Sequence, residues 1–92
     1  MLMGKAIFRY TLDADRSSDL LMPVGAKILH VHGQNDEMCV WAIVDPDAPM
    51  ETRKFSIYGT GHPMNDEPEV YIGSLHIFEE RKVYHVFERV LL

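Results

Sequence analysis

Two histidines two positions apart, His30 and His32, are followed by Cys39 across a short polar break, which brings imidazole and thiol chemistry into one part of the chain. Residues two apart on a strand point to the same side, and a neighbouring strand can add a third group, so these three form a candidate metal-ligand set. The pattern lacks the paired CxxC or HExxH spacing of zinc sites, and imidazoles with an apolar body commonly line a sheet face. No metal or other cofactor is therefore expected, and Cys39 reads as a packing residue. A second place is "YGTGHP", where Gly59, Thr60, Gly61 and His62 follow a strand and precede Pro63. Such a Gly-x-Gly corner can turn backbone N–H groups toward an anion, and His62 with Arg53 or Lys54 would add positive character. It is neither a P-loop nor a dinucleotide fingerprint, because no GK[ST] ending or helix follows. The same residues also suit a plain chain reversal, the glycines supplying φ > 0 and His-Pro an extended exit. Ser17, Ser18, Ser56 and Ser74 lack the context of an activated nucleophile, and the carboxylates cluster in corners where polar residues belong anyway. Catalysis is the minority reading.

The elements that must position these groups are strands. Apolar residues alternate with period 2 and no long 3.6-residue stripe appears. Extended segments are expected at Lys5–Leu12, briefly at Leu20–Met22, and at Ala26–Gly33, Met38–Asp45, Phe55–Tyr58, Glu69–Phe78 and Val83–Val90. Proline-marked corners, "DPDAPMET" and "GTGHPMNDEP", separate them. This predicts a mainly β fold of about six strands, a small antiparallel sandwich or partly open barrel built from hairpins, in a single domain over residues 1–92.

A two-residue turn at Asn35-Asp36 pairs Gln34 with Glu37 and, counting outward, His32 with Cys39, His30 with Trp41, Leu29 with Ala42 and Ile28 with Ile43. One face then carries Leu29, Val31, Met38, Val40, Ala42 and Val44 as core. The other carries Ile28, His30, His32, Cys39, Trp41 and Ile43, and its apolar character requires a cover: a second sheet, a subunit partner or a ligand. In the last hairpin, Phe78 opposite Val83 sets His76 opposite His85, a pair that would resist double protonation and offers a pH-sensitive spot.

Composition bounds what this scaffold can do. A hydrophobic fraction of 47% and a charged fraction of 25% in 92 residues are those of an ordinary globular domain rather than a disordered chain. A net charge of −5 argues against wrapping a nucleic-acid backbone. The single cysteine excludes an internal disulfide framework. With no signal-like apolar run and nowhere 18 consecutive apolar residues, a soluble, cytoplasmic protein without membrane contact is expected.

The runs "MPVGAKILHVHGQ", "VWAIVDPDAP", "IYGTGHPM" and "YIGSLHIFEERKVYHVFE" together resemble a family of short uncharacterised proteins encoded mostly by phages and prophages. The resemblance covers about residues 5 to 88. It implies importance for Gln34, Trp41, Asp45, Gly59, Gly61, His62 and Pro63, and an accessory gene of bacterial viruses acting in the host cell, but no activity. The expected function is a non-catalytic binding module for a host protein or small ligand, contacted through Gly59, Thr60, Gly61, His62, Trp41 and Arg53. The alternatives are a small metal- or His-dependent hydrolase and a structural subunit of a virion or assembly complex. Self-association is expected through the Trp41 face or the apolar C-terminal strand.

Overall fold

A computed structural model of the chain describes residues 4–13, 18–34, 37–77 and 82–90. Among them there is no helix, and seven strands form: β1 (Ala6–Leu12), β2 (Ser18–Pro23), β3 (Lys27–Gln34), β4 (Glu37–Val44), β5 (Met50–Gly59), β6 (Glu69–Ile77) and β7 (Lys82–Arg89). They make two antiparallel sheets, a three-stranded one ordered β1-β4-β3 and a four-stranded one ordered β2-β5-β7-β6. The sandwich is confirmed, and the sheets do not close into a barrel. β2 and β5 run longer than the apolar pattern suggests. The added Glu51 and Thr52 of β5 pair with Met22 and Leu21 of β2, and the added Asp19 of β2 pairs with Lys54.

Two of the passages between the sheets, β2 to β3 and β4 to β5, are made at neighbouring corners. In the first, Ala26 N–H donates to Pro23 O at 3.1 Å and Gly25 adopts φ 81°, a tight turn that only glycine enters without strain. In the second, the Asp45 side chain accepts from Asp47 N–H at 3.0 Å and its carbonyl accepts from Ala48 N–H at 3.1 Å. This side-chain-capped turn gives the "DPDAP" run its structural meaning. The two corners are stitched by Val24 N–H donating to Pro49 O at 2.8 Å.

Val31, Met38, Val40, Ala42 and Val44 from the first sheet meet Met22, Phe55, Leu75, Ile77, Tyr84 and Val86 from the second. The sheets draw closest where β3 lies on β6. A Cβ on Gly33 would stand 2.8 Å from the His76 carbonyl oxygen, and one on Gly73 would stand 2.8 Å from a Val31 methyl. Two glycines on facing strands thus form a seam.

Three expectations need correction. The β3–β4 register holds from Gln34 to His30 and then shifts at a bulge, so Ile28 pairs with Ala42 rather than Ile43. The extra residue, Leu29, turns outward and is 43% exposed, while Ile28 packs against the core. In the last hairpin Ile77 faces Lys82, which sets His85 opposite Ser74 and His76 opposite Val83. The slip is by two positions, so each side chain keeps its face but the directly opposed histidine pair does not form. Finally, the C-terminal strand is not a free surface: β7 lies between β5 and β6, and Val86 is fully buried. The turn at Asn35-Asp36, the connection through Glu79 to Arg81 and Ser17 lie outside the described residues.

Candidate functional site

β5 ends at Gly59, which sits opposite Tyr84 of β7, and the chain then reverses. His62 N–H donates to Gly59 O at 3.0 Å, closing a four-residue turn whose third position, Gly61, has φ 86°. That conformation belongs to a type II turn and favours glycine. Gly59 serves differently: a Cβ there would lie 2.7 Å from the His62 ring, so the imidazole rests directly on its backbone. Both glycines of the motif therefore have local reasons, and together they aim the exposed His62 ring back along the strand.

Beside this turn lies a cleft of about 430 Å³ lined by Gly59, Thr60, His62, Lys82, Val83 and Tyr84. Its inner wall is held by a hydrogen-bonded line of side chains on the outer face of the larger sheet. Thr60 Oγ1 meets His85 Nε2 at 2.7 Å, His85 Nδ1 meets Ser74 Oγ at 2.7 Å, and Ser74 Oγ meets the Tyr71 hydroxyl at 2.6 Å. With both ring nitrogens engaged, a neutral His85 donates to one hydroxyl and accepts from the other. The line continues into aromatics: Phe87 takes the edges of Tyr71 and Tyr58, with ring centroids at 5.3 and 5.7 Å. Tyr58 donates its hydroxyl to Glu69 Oε1 at 2.6 Å. Burial, and then that hydrogen bond, raise the Tyr58 pKa. Arg89, opposite Glu69 in the register, pairs with Glu67.

The remaining sequence candidates are elsewhere. Arg53 points inward near the far end of β5. Its Nη2 donates to Glu88 Oε1 at 2.9 Å, its Nε donates to the other Glu88 oxygen, and its Nη1 donates to Ala26 O at 2.8 Å. The Glu88 hydrogen bonds push its pKa upward in spite of partial burial. Six residues of strand separate it from Gly59, about 20 Å at the usual rise, so it fastens β5 to β7 and to the β2–β3 corner instead of serving the cleft.

Trp41 lies on the outer face of the smaller sheet, away from the cleft. There it joins Ile7, Leu29, His30 and His32 around a shallow apolar depression of about 370 Å³. The His30 and His32 rings stack at 5.7 Å, and His30 tilts against Trp41 at 6.4 Å. Cys39 shares this face but is buried, its thiol nearest the Glu37 carbonyl at 3.9 Å. The register places the hydrogen bond from Arg9 to Gln34 across it, linking β1 to β3 over β4. Gln34 is thereby given a covering role. Among the described residues no group of three or more His, Cys, Asp or Glu side chains is placed to hold a metal ion.

The profile of a domain of unknown function, DUF7352, matches residues 3–91. The chain belongs to this family. No curated protein and no solved structure matches it. The geometry of this DUF7352 domain thus stands by itself as the guide to function. It adds Tyr58, Tyr71, Phe87 and the Glu69 carboxylate, and it joins Ser74 and His85, which the sequence had offered separately, in one hydrogen bond. Ser74 opposite His85 is a polar pair on an otherwise aromatic face, but the apolar pattern does not fix the register that brings them together.

Proposed function

We propose that the protein is a non-catalytic binding module that takes a small polar ligand into the cleft between the Gly59–His62 turn and the start of β7. The observation that carries this reading is the backing of the cleft: Thr60 is fixed to His85, and His85 to Ser74, so one wall is ordered before any ligand arrives. Pre-organised walls lower the ordering cost of binding. Lys82 and His62 at the rim supply N–H donors, which suits a ligand bearing an acidic or hydroxyl group. A phage or prophage accessory role in the host cytoplasm, suggested by the sequence motifs, accords with a small module of this kind.

Native mass spectrometry of protein purified from its natural host is the direct test. A retained small molecule should be lost in His62→Ala, with the stability unchanged to within about 0.5 kcal/mol, because exposed loop substitutions cost little. Unchanged retention in His62→Ala would remove the cleft from consideration. Labelling of Ser74 by a fluorophosphonate would instead assign the Ser74–His85 pair to hydroxyl-based catalysis, since a 2.7 Å contact with imidazole is also how a nucleophile meets its base.

A further inference from the structure

The geometry points to a two-fold symmetric dimer in which β1 pairs antiparallel with β1 of a second copy of this chain, joining the two small sheets into one continuous six-stranded sheet. The sheet margins differ in how they are protected. β3 leans on β6 through the Gly33 and Gly73 seam. β6 is interrupted by a bulge at Ile72. β2 carries Asp19, paired with Lys54 at 3.2 Å, and ends in Pro23. These are the usual devices that prevent edge pairing. β1 has none: seven residues without proline or bulge, in unbroken register with β4. Its one charged side chain, Arg9, is drawn across β4 to Gln34, away from the free margin.

Near its start β1 also leaves one large apolar side chain uncovered on each face, whereas Tyr10 and Leu12 pack on the core. Ile7, at the rim of the Trp41 depression, is 63% exposed, and Phe8, which faces the core side, is 41% exposed. An antiparallel strand pair is self-complementary about a two-fold axis. Centring that axis on Phe8 places Phe8 opposite the partner's Phe8, Ile7 opposite the partner's Arg9 and Ala6 opposite the partner's Tyr10. Centring it on Arg9 would oppose two guanidinium groups, so the first register is the one assigned.

Sedimentation velocity at micromolar concentration tests the pairing. The expected species has twice the 10.6 kDa chain mass, and Ile7→Lys weakens its dissociation constant at least about tenfold while the far-ultraviolet circular dichroism is retained. Leu21→Lys, a comparable exposed substitution on β2, should leave the dimer intact. Phe8→Cys should form an intermolecular disulfide under mild oxidation, because opposed strand positions bring Cα atoms within disulfide range. A monomer for the wild type overturns the proposal, as does a dimer that Leu21→Lys dissociates and Ile7→Lys does not. A dimer in which Phe8→Cys fails to cross-link rejects the β1 pairing.

Discussion

The two outer faces of this sandwich are built from similar residues and finished in opposite ways. On the larger sheet, Tyr58, Tyr71 and Phe87 form an aromatic group whose polar ends are all occupied, by Glu69 and by the Ser74–His85–Thr60 line. On the smaller sheet, His30 and His32 stack and Trp41 tilts against His30 around an apolar depression, and the bridge from Arg9 to Gln34 covers Cys39 but leaves the rest open. Aromatic and imidazole content therefore does not decide how a β face behaves. What decides is whether neighbouring strands supply hydroxyls and carboxylates at the matching positions. A face whose aromatic hydroxyls are hydrogen-bonded within it borders a cleft at its end, whereas the other face leaves apolar area exposed.

The comparison requires that the sheets stay back to back, and the seam between β3 and β6 is where that is most easily broken. Gly33→Ala puts a methyl 2.8 Å from the His76 carbonyl oxygen, a backbone atom that cannot swing aside. Overpacking of this kind costs about 1–3 kcal/mol, which in a domain of this size lowers the melting temperature by about 5–20 °C. Thermal unfolding followed by circular dichroism measures it. An unchanged transition would mean that the sheets are not held at this distance.

A smaller change sharpens the contrast between the faces. Tyr58→Phe keeps the ring against Phe87 and removes only the hydroxyl that Glu69 accepts from, so it should cost about 1–2 kcal/mol by leaving a part-buried carboxylate oxygen without its donor. On the other face His32→Ala should stay within about 0.5 kcal/mol, since that ring is exposed. Urea denaturation of the two variants side by side gives the ordering. Equal losses would show that the hydrogen-bonded finish of the larger sheet contributes nothing special.

Much of this architecture is legible in the residues themselves. Alternation identifies the strands and the sandwich because a two-layer fold buries one side of each strand, and the Val31, Val40 and Ala42 positions follow it directly. The β3–β4 register is readable from Gln34 to His30 by counting from the polar break and fails only at Leu29, because a bulge inserts a residue without any change in hydropathy. The last hairpin resists the same treatment. Its connection has no residue pair that demands one turn type, so a shift of two positions leaves every side chain on its correct face and the apolar pattern unaltered. That shift conceals the Ser74–His85 contact, the most informative feature of the candidate site. Sheet order is similarly silent in the pattern: nothing in "VYHVFERV" says whether β7 lies at a margin or in the centre.

The smallest expected effect is an alkaline pH dependence shared by Tyr58 of the larger sheet and Tyr10 of the smaller one. Burial and the Glu69 carboxylate raise the Tyr58 pKa above its ordinary value of 10.0, and burial alone raises that of Tyr10. A phenol whose pKa is higher in the folded than in the unfolded chain holds its proton more tightly when folded. Its contribution to stability is therefore complete below the unfolded value and is lost as the pH climbs from about 10 through the folded value. Wild-type unfolding midpoints should thus be level on this account up to about pH 10 and fall beyond it. Tyr58→Phe, already destabilised, should show a shallower decline there, with the remainder belonging to Tyr10. Denaturation midpoints measured across that alkaline range provide the check. If the variant declines as steeply as the wild type, the Tyr58–Glu69 hydrogen bond is not what closes this face.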